Sequence, residues 1–209
     1  MKLYNLNSII ILLIILSITH NSYSQDQENK WVIGLGANAV DFFPTSANGD
    51  LNGNYSGFGS QLFNSRDHWS IGVPKVHLTR HIKSKFAVDV SFVMNELTKI
   101  GKIKTAEVLS YKALDATVQY SFLKDNYKYY PYALAGGGYT WIDNKGVGTF
   151  EAGLGMTYWF SNSFGVNFQG MYKIPESYPN VIEHFHYSLS VVHRFGKGRR
   201  KGVGTECFE

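Results

Sequence analysis

The chain has 209 residues, a formal net charge of +4 and an isoelectric point near 9.0. Aromatic residues make up 15% of it, and it has 21 glycines but only 5 prolines, a composition typical of β-rich proteins. Its single cysteine, Cys207, excludes an internal disulfide framework, so backbone pairing and side-chain packing must hold the fold together.

The first 24 residues have the features of a cleaved signal peptide. Lys2 supplies a positive charge, residues 8–18 form an apolar run, and Ser22 and Ser24 place small residues before a cut at Gln25. The run is shorter than the roughly 20 apolar residues that a membrane-spanning helix needs. We therefore predict an exported chain, and export excludes nucleic acid as a partner despite the basic isoelectric point.

From residue 30 onward the sequence divides into eight strand-like segments separated by turn and loop signals. The predicted strands cover residues 30–40, 69–82, 86–97, 106–122, 127–142, 148–160, 164–174 and 184–195. Short turns are predicted after the second, fourth and sixth strands, and longer connections after the odd-numbered ones. These include the 41–68 loop, a reversal at Gly101 within residues 98–105, the Asp143–Gly146 hairpin signal, and the 175–183 loop. This layout is typical of outer-membrane barrels, in which an even strand count leaves both termini in the periplasm.

The sixth predicted strand shows most clearly that each strand has one apolar face and one polar face. Phe150, Leu154 and Met156 alternate with a second set that includes Glu151 and Thr157. The apolar face could be the core of a soluble barrel or the lipid-facing wall of a membrane barrel. Aromatic residues gather near strand ends, as in the girdles at membrane interfaces: Trp31, Tyr120, Phe122, Phe160 and Phe164. Because an eight-stranded barrel interior is too narrow for so many rings, we predict that the apolar face meets lipid.

The charged residues of the polar face are then predicted to line the lumen. Charges facing lipid would cost several kcal/mol, whereas inside the barrel they can pair. We expect Asp89, Asp115 and Glu151 to pair there with Lys75 and Arg194.

Three stretches make the sequence similar to a known family. They are KWVIGLGANAVDFFPT near the start of the exported chain, YPYALAGGGYTWIDNKGVGTFEAGLGMTYWF, and the closing HYSLSVVHRFGK. The sequence resembles the N-terminal barrel domain of OmpA-like outer-membrane proteins of Gram-negative bacteria over residues 30–195. The resemblance implies an all-β, eight-stranded antiparallel up-and-down barrel in the bacterial outer membrane, here occupying residues 25–195.

The resemblance does not extend to a peptidoglycan-binding domain, which such proteins usually carry after the barrel. Residues 196–209 are too few for one, so we expect no tether to peptidoglycan. This predicted periplasmic tail is basic, and it could be an interfacial anchor beside anionic head groups or a docking segment for a protein partner. Its cations are Lys197, Arg199, Arg200 and Lys201.

Binding and catalytic motifs in the sequence are weak. The stretch beginning at Asp50 has Tyr55 and Gln61 where a calcium loop needs Gly and Glu. Asp67 and His68 are adjacent, but no spacing identifies a catalytic triad. We predict no cofactor and no catalytic residue.

A metal site in the lumen is a further alternative. His77, His184 and His186 fall on the polar face, and Asp89 could complete a ligand set with them. Polar filling of the lumen explains these histidines more simply, so we predict no metal.

We therefore expect a non-enzymatic, structural or accessory barrel that contacts outer-membrane lipid and belongs to a larger complex with outer-membrane or periplasmic proteins. A small or gated channel is the first alternative, although a wide pore needs about 16 strands. A lipid- or peptide-modifying enzyme is the second alternative.

Overall fold

The structure is a computed structural model that describes residues 30–42, 69–100, 103–123, 128–143, 145–177 and 181–195. These residues form eight strands, each antiparallel to its neighbours in chain order, and β8 pairs with β1 to close a barrel. The strands are β1 Trp31–Asp41, β2 Ser70–Lys83, β3 Phe86–Ile100, β4 Ile103–Ser121, β5 Tyr129–Ile142, β6 Lys145–Trp159, β7 Phe164–Pro175 and β8 His184–Phe195. The predicted up-and-down barrel is confirmed. Within the described residues there is no helix with the length and apolar character to span a bilayer.

The predicted division into short turns at one end and longer connections at the other is wrong for two connections: β3–β4 and β5–β6 have two residues each, whereas β4–β5 has seven. At one end, here called the turn end, β1 begins opposite the last residue of β8, and the β2–β3, β4–β5 and β6–β7 connections lie beside them. At the other, the loop end, lie the connections after β1, β3, β5 and β7. That the turn end faces the periplasm stays a prediction.

Two hairpins are tighter than the sequence indicated. Lys83 pairs with Phe86, and Ile142 pairs with Lys145. Ser84 and Asp143, the first residues of these turns, have φ values of 55° and 44°. Positive φ is what two-residue hairpins require, because their backbone twist must match that of the strands. Consequently β6 begins at Lys145 rather than at the predicted residue 148.

The predicted length of the connection over residues 98–105 is wrong, although the chain reverses between Ile100 and Ile103, in agreement with the predicted reversal at Gly101. β3 and β4 continue through most of this stretch and pair as far as Ile100 with Ile103. Alternating Thr, Lys and Ile residues favour extended backbone, so the ladder persists to the pair of Ile100 and Ile103. β2 pairs with β3 only up to Val93, and β5 pairs with β4 only from Tyr111, so the β3–β4 hairpin projects beyond its neighbours.

The outer wall is apolar, as the alternation predicted. Phe150 and Leu154 are each 64% exposed, whereas Glu151 is 4% exposed on the opposite face of β6. Large exposed apolar side chains occur on all eight strands, among them Leu35, Val76, Phe92, Leu114, Tyr139, Phe168 and Leu189. A continuous apolar exterior around a closed barrel is stable in lipid and not in water.

Rings also cluster on the exterior of the turn end, as the predicted girdle requires. Tyr120 lies 5.2 Å from Phe86 and 6.1 Å from Phe122 between ring centroids. Tyr129 and Tyr158 are 5.0 Å apart. Amphipathic rings of this kind favour the boundary between hydrocarbon and head groups.

A bulge in β2 reverses which residues face the lumen. Gly36 pairs with Lys75, but Asn38 pairs with Gly72, so β2 has one extra residue in this interval. Ile71 and Val73 therefore face outward before the bulge, and Val76 and Leu78 face outward after it. The bulge is what allows Lys75 to point inward without placing apolar neighbours in the lumen.

The side chain of Asn38 satisfies the backbone carbonyls at this bulge. Its Nδ2 donates to the carbonyls of Gly72 at 3.2 Å and Met94 at 2.9 Å. Its Oδ1 accepts a hydrogen bond from Nδ2 of Asn95 at 2.9 Å, and Asn95 also donates to the carbonyl of Ser70 at 2.8 Å. Buried carbonyls near the bulge thus gain partners that the regular ladder does not supply.

Replacing Asn38 with alanine is expected to lower the free energy of unfolding by about 1–3 kcal/mol, because buried carbonyls would lose their donor. Urea unfolding in detergent micelles measures this. Asn167→Ala is the matched control, since Asn167 Nδ2 donates to the side-chain hydroxyls of Tyr132 and Thr157 rather than to backbone carbonyls. Equal losses for the two variants would contradict the role given to Asn38.

The closed lumen as the candidate functional site

The five charged residues predicted for the lumen are all buried inside the barrel. They are Lys75, Asp89, Asp115, Glu151 and Arg194, with exposures between 0% and 4%. Their partners differ from the expected pairing of three acids with two bases. A sixth charged residue, Lys173, provides the cation for two of the acids.

Lys173 joins the carboxylates of two other strands across the lumen. Its Nζ lies 2.7 Å from Oδ1 of Asp115 on β4 and 3.0 Å from Oε1 of Glu151 on β6. Thr149 also donates to Oε1 of Glu151, at 3.1 Å. Gly138 makes room for this cluster, since a Cβ at that position would fall against both carboxylates. In this cluster one buried cation, Lys173, therefore contacts two acids, Asp115 and Glu151.

Lys173 was not among the predicted lumen residues, although the sequence carries a signal for it. Lys173 has the same parity on β7 as Asn167 and Gln169, which are also buried. If the alternation of inward and outward side chains is continued to the end of β7, it places this lysine in the lumen.

Lys75 and Asp89 make separate polar groups. Lys75 Nζ donates to Oε1 of Gln169 at 2.5 Å and to Oγ of Ser188 at 2.8 Å. Asp89 Oδ1 lies 3.0 Å from Nδ1 of His77 and accepts a hydrogen bond from Thr79 Oγ1 at 2.5 Å. Amide, hydroxyl and imidazole groups, rather than the expected Lys–Asp, Lys–Glu or Arg–carboxylate pairs, therefore occupy these contacts.

Arg194 closes the lumen at the turn end. Its guanidinium carbon lies 4.7 Å from the ring centroid of Trp159, and its Nε donates to the carbonyl of Asn162. Trp159 packs with Val32 and Val192 in a fully buried apolar cluster, here called the turn-end layer. An apolar ring with a stacked cation fills this end of the barrel.

The loop end of the lumen is also apolar. The loop-end layer consists of Val40, Phe42, Val93, Leu97, Tyr111 and Ala113. The physical basis of these layers is exclusion of bulk solvent, because apolar side chains at both ends separate the buried ion pairs from the surrounding water. The lumen thus has an apolar layer at each end and a middle layer that combines the polar groups around Lys75, Asp89 and Lys173 with a buried cluster of Tyr130, Tyr132, Leu134 and Met171.

The histidines of the lumen belong to this packing. His184 Nδ1 donates to the carbonyl of Ile182 at 2.8 Å, and its Nε2 lies 3.0 Å from the hydroxyl of Tyr111. Its ring also packs 4.9 Å from that of Phe42. His77 lies beside Asp89 in the middle layer. The described part of the chain contains no cluster of three or more His, Cys, Asp and Glu residues arranged to hold a metal ion.

Several of the sequence predictions lie outside the described residues. These are the signal peptide, the calcium-like stretch from Asp50, the pair Asp67 and His68, and the basic tail residues Lys197, Arg199, Arg200 and Lys201.

Solved structures share the fold, although no protein-family model and no curated protein matches the chain. The outer-membrane protein OprG of Pseudomonas aeruginosa aligns with a TM-score of 0.56 and 14% identity, over 84% of this chain and 98% of that one. Neisserial surface protein A (NspA) aligns with a TM-score of 0.53 and 13% identity, over 79% and 96%. The N-terminal β-barrel domain of P. aeruginosa OprF aligns with a TM-score of 0.50 and 12% identity, over 81% and 100%.

At these identities the similarity is one of fold. Together with the apolar outer wall, the fold defines the class: the chain has the fold of the eight-stranded transmembrane β-barrels of the bacterial outer membrane, with an outer wall suited to lipid. The architecture implied by the resemblance to OmpA-like barrels is confirmed at this level.

Proposed function

We propose that this barrel is a non-conducting structural or accessory component of the outer membrane, which acts through its exterior as a subunit of a larger complex. The observation that carries the proposal is the filled lumen, with the buried Lys173–Asp115–Glu151 cluster between two apolar layers. Because side chains fill the interior of the barrel, we expect its function to depend on contacts made by its outer surfaces.

The energetics of the lumen support a closed state. A hydrated ion passing along the axis would have to displace Trp159 and Leu97, both 0% exposed, and break the contacts of Lys173. Separating a buried ion pair leaves an uncompensated charge, which costs about 3–5 kcal/mol. Side chains in an eight-stranded barrel leave little bore for any other route.

The projecting β3–β4 hairpin is the surface best suited to a protein partner. Val108 is 59% exposed there, beyond the last backbone pair between β4 and β5. Glu96 and Glu107 are exposed on the same hairpin. An apolar side chain flanked by carboxylates, outside the lipid-facing band, fits the mixed polar and apolar character of protein interfaces. The basic tail is proposed as a second docking segment.

Co-purification tests this proposal. The tagged protein would be extracted from outer membranes with a mild detergent, and a stoichiometric partner should accompany it. Val108→Asp should release the partner, whereas Glu176→Ala, a change at another exposed loop-end residue, should not. A barrel that always purifies alone would contradict the complex.

The alternative of a gated channel has one observation in its favour. Several buried polar atoms of the middle layer have no hydrogen-bond partner within the described protein, including Nε2 of His77, Nε2 of Gln169 and Oδ2 of Asp115. Buried polar groups usually have partners, so this layer is suited to hold internal water. Such water would form a path only if both apolar layers moved.

Planar-bilayer recording separates the two functions. We expect the purified protein to leave the baseline conductance unchanged, because the apolar layers exclude hydrated ions. Conductance steps that change with Glu151→Gln, but not with Met156→Leu on the outer wall, would favour the channel. Glu151 is buried in the lumen and Met156 faces outward, so comparing the two variants shows whether the conductance passes through the lumen.

A further inference from the structure

Among the described residues, exterior carboxylates occur at only one end of the barrel, whereas exterior lysines occur at both ends. At the turn end, the described exterior carries cations and no carboxylate: Lys30, Arg80, Lys83, Lys85 and Lys128. The described exterior carboxylates instead lie at the loop end, on or beside β3, β4, β5, β7 and β8: Glu96, Glu107, Asp143, Glu176 and Glu183. The turn end therefore presents a positive field to whatever lies around it.

Four of these cations form one patch on the β1–β2–β3 side of the barrel. The carbonyl of Lys30 accepts the N–H of His81 at 2.8 Å, which places Lys30 beside Arg80. Arg80 is directly opposite Trp31, and Lys83 is directly opposite Phe86 at the β2–β3 turn, where Lys85 follows. We call Lys30, Arg80, Lys83 and Lys85 the cationic patch.

Aromatic rings hold two of these cations at the level of the girdle. The Arg80 guanidinium carbon lies 5.1 Å from the ring centroid of Trp31, and Lys85 Nζ lies 5.6 Å from that of Tyr120. Lys85 Nζ also donates to the carbonyl of Phe122 at 3.2 Å. Girdle aromatics sit at head-group depth, so these cations are held where lipid phosphates lie.

The opposite side of the turn end has a different character. On β6–β8 the described exterior is aromatic, with Tyr158, Phe160, Phe164 and Phe195, and no Lys or Arg side chain faces outward there. A general affinity for head groups would distribute cations around the whole circumference. Their concentration on one side indicates a local binding surface, on which several like charges need an anion between them.

We propose that the cationic patch binds the phosphate of an anionic phospholipid in the leaflet that surrounds the turn end. The guanidinium of Arg80 and the ammonium of Lys83 supply charge-assisted donors to the phosphate, and Trp31 and Phe86 contact the adjoining glycerol and acyl region. This inference is independent of the closed lumen and of any protein partner. It also assigns the turn end to the phospholipid leaflet.

Native mass spectrometry of the folded barrel in detergent tests this surface. Phosphatidylglycerol, phosphatidylcholine and lipopolysaccharide would be titrated separately. We expect phosphatidylglycerol to be retained in preference to the other two, and Arg80→Gln/Lys83→Gln to weaken its retention on the order of tenfold. The matched control is Lys112→Gln/Lys145→Gln, which removes the same charge from exposed lysines nearer the loop end.

The outcomes are distinct. Loss of phosphatidylglycerol in the patch variant alone supports the site. Equal losses of phosphatidylglycerol in both variants would show that binding depends only on net charge, and would overturn the proposal. Unchanged retention in the patch variant would also overturn it. A preference for lipopolysaccharide or phosphatidylcholine in the unaltered protein would overturn it too. Heat-dependent gel migration, which distinguishes folded from unfolded barrels, confirms that both variants are folded.

Discussion

Lys173→Met is expected to lower the free energy of unfolding by about 3–5 kcal/mol, because it leaves the carboxylates of Asp115 and Glu151 facing each other without a cation. Both acids contact Lys173 Nζ, and all three side chains are at most 1% exposed. The methionine fills a similar volume, so the loss reports the missing charge and hydrogen bonds rather than a cavity. Urea titration of the barrel in detergent micelles, followed by tryptophan fluorescence, measures it.

Two further variants show whether the loss arises from unpaired charge. The triple change Lys173→Met/Asp115→Asn/Glu151→Gln removes the acids together with the cation, and should recover most of the lost stability. Lys145→Met, at an exposed lysine where β6 begins, should change stability little. If the triple variant were less stable than Lys173→Met alone, the buried cluster would be stabilised by something other than charge pairing.

Leu154→Arg is expected to cost about 2–4 kcal/mol in a lipid bilayer, because it places a charge in the apolar band. Leu154 is 64% exposed, and its neighbours across the ladder are Ala133 and Gly170, so the longer side chain meets no steric obstacle. The cost therefore comes from the lipid. Folding and unfolding titrations in phospholipid vesicles measure it.

Val108→Arg is the matched control for this change. Val108 is an equally accessible apolar residue, but it lies next to Glu107 on the projecting hairpin, outside the apolar band. Its substitution should change stability by less than about 1 kcal/mol. A soluble barrel would tolerate both arginines equally, so similar stabilities for the two variants would refute the lipid-facing assignment.

The fold could be predicted from the sequence because its signals are local. A period of two along each strand assigns neighbouring residues to opposite faces, and this placed Phe150 and Glu151 correctly without knowledge of any other strand. Turn residues at Ser84 and Asp143 mark reversals through their own backbone preferences. Strand ends were less certain, as residues 98–105 show, because pairing with a partner strand decides how far a ladder extends.

The arrangement inside the barrel could be predicted only in part. Alternation placed Lys75, Asp89, Asp115, Glu151 and Arg194 inside, but it could not say which of them meet. That depends on how the strands are registered around the closed barrel, which brings Lys173 to Asp115, 58 positions away in the chain. The rule that apolar residues face lipid also fails for Phe42 and Leu97, which close the loop end from within.

The sequence by itself determined that this chain is a β-barrel with a lipid-facing wall and a charged interior, because strand periodicity and composition act residue by residue. Only the tertiary structure decided the rest: the bulge that turns Lys75 inward, the partners of each buried charge, and the apolar layers that close both ends. These features depend on barrel closure, which fixes the register between strands and so brings distant residues into contact.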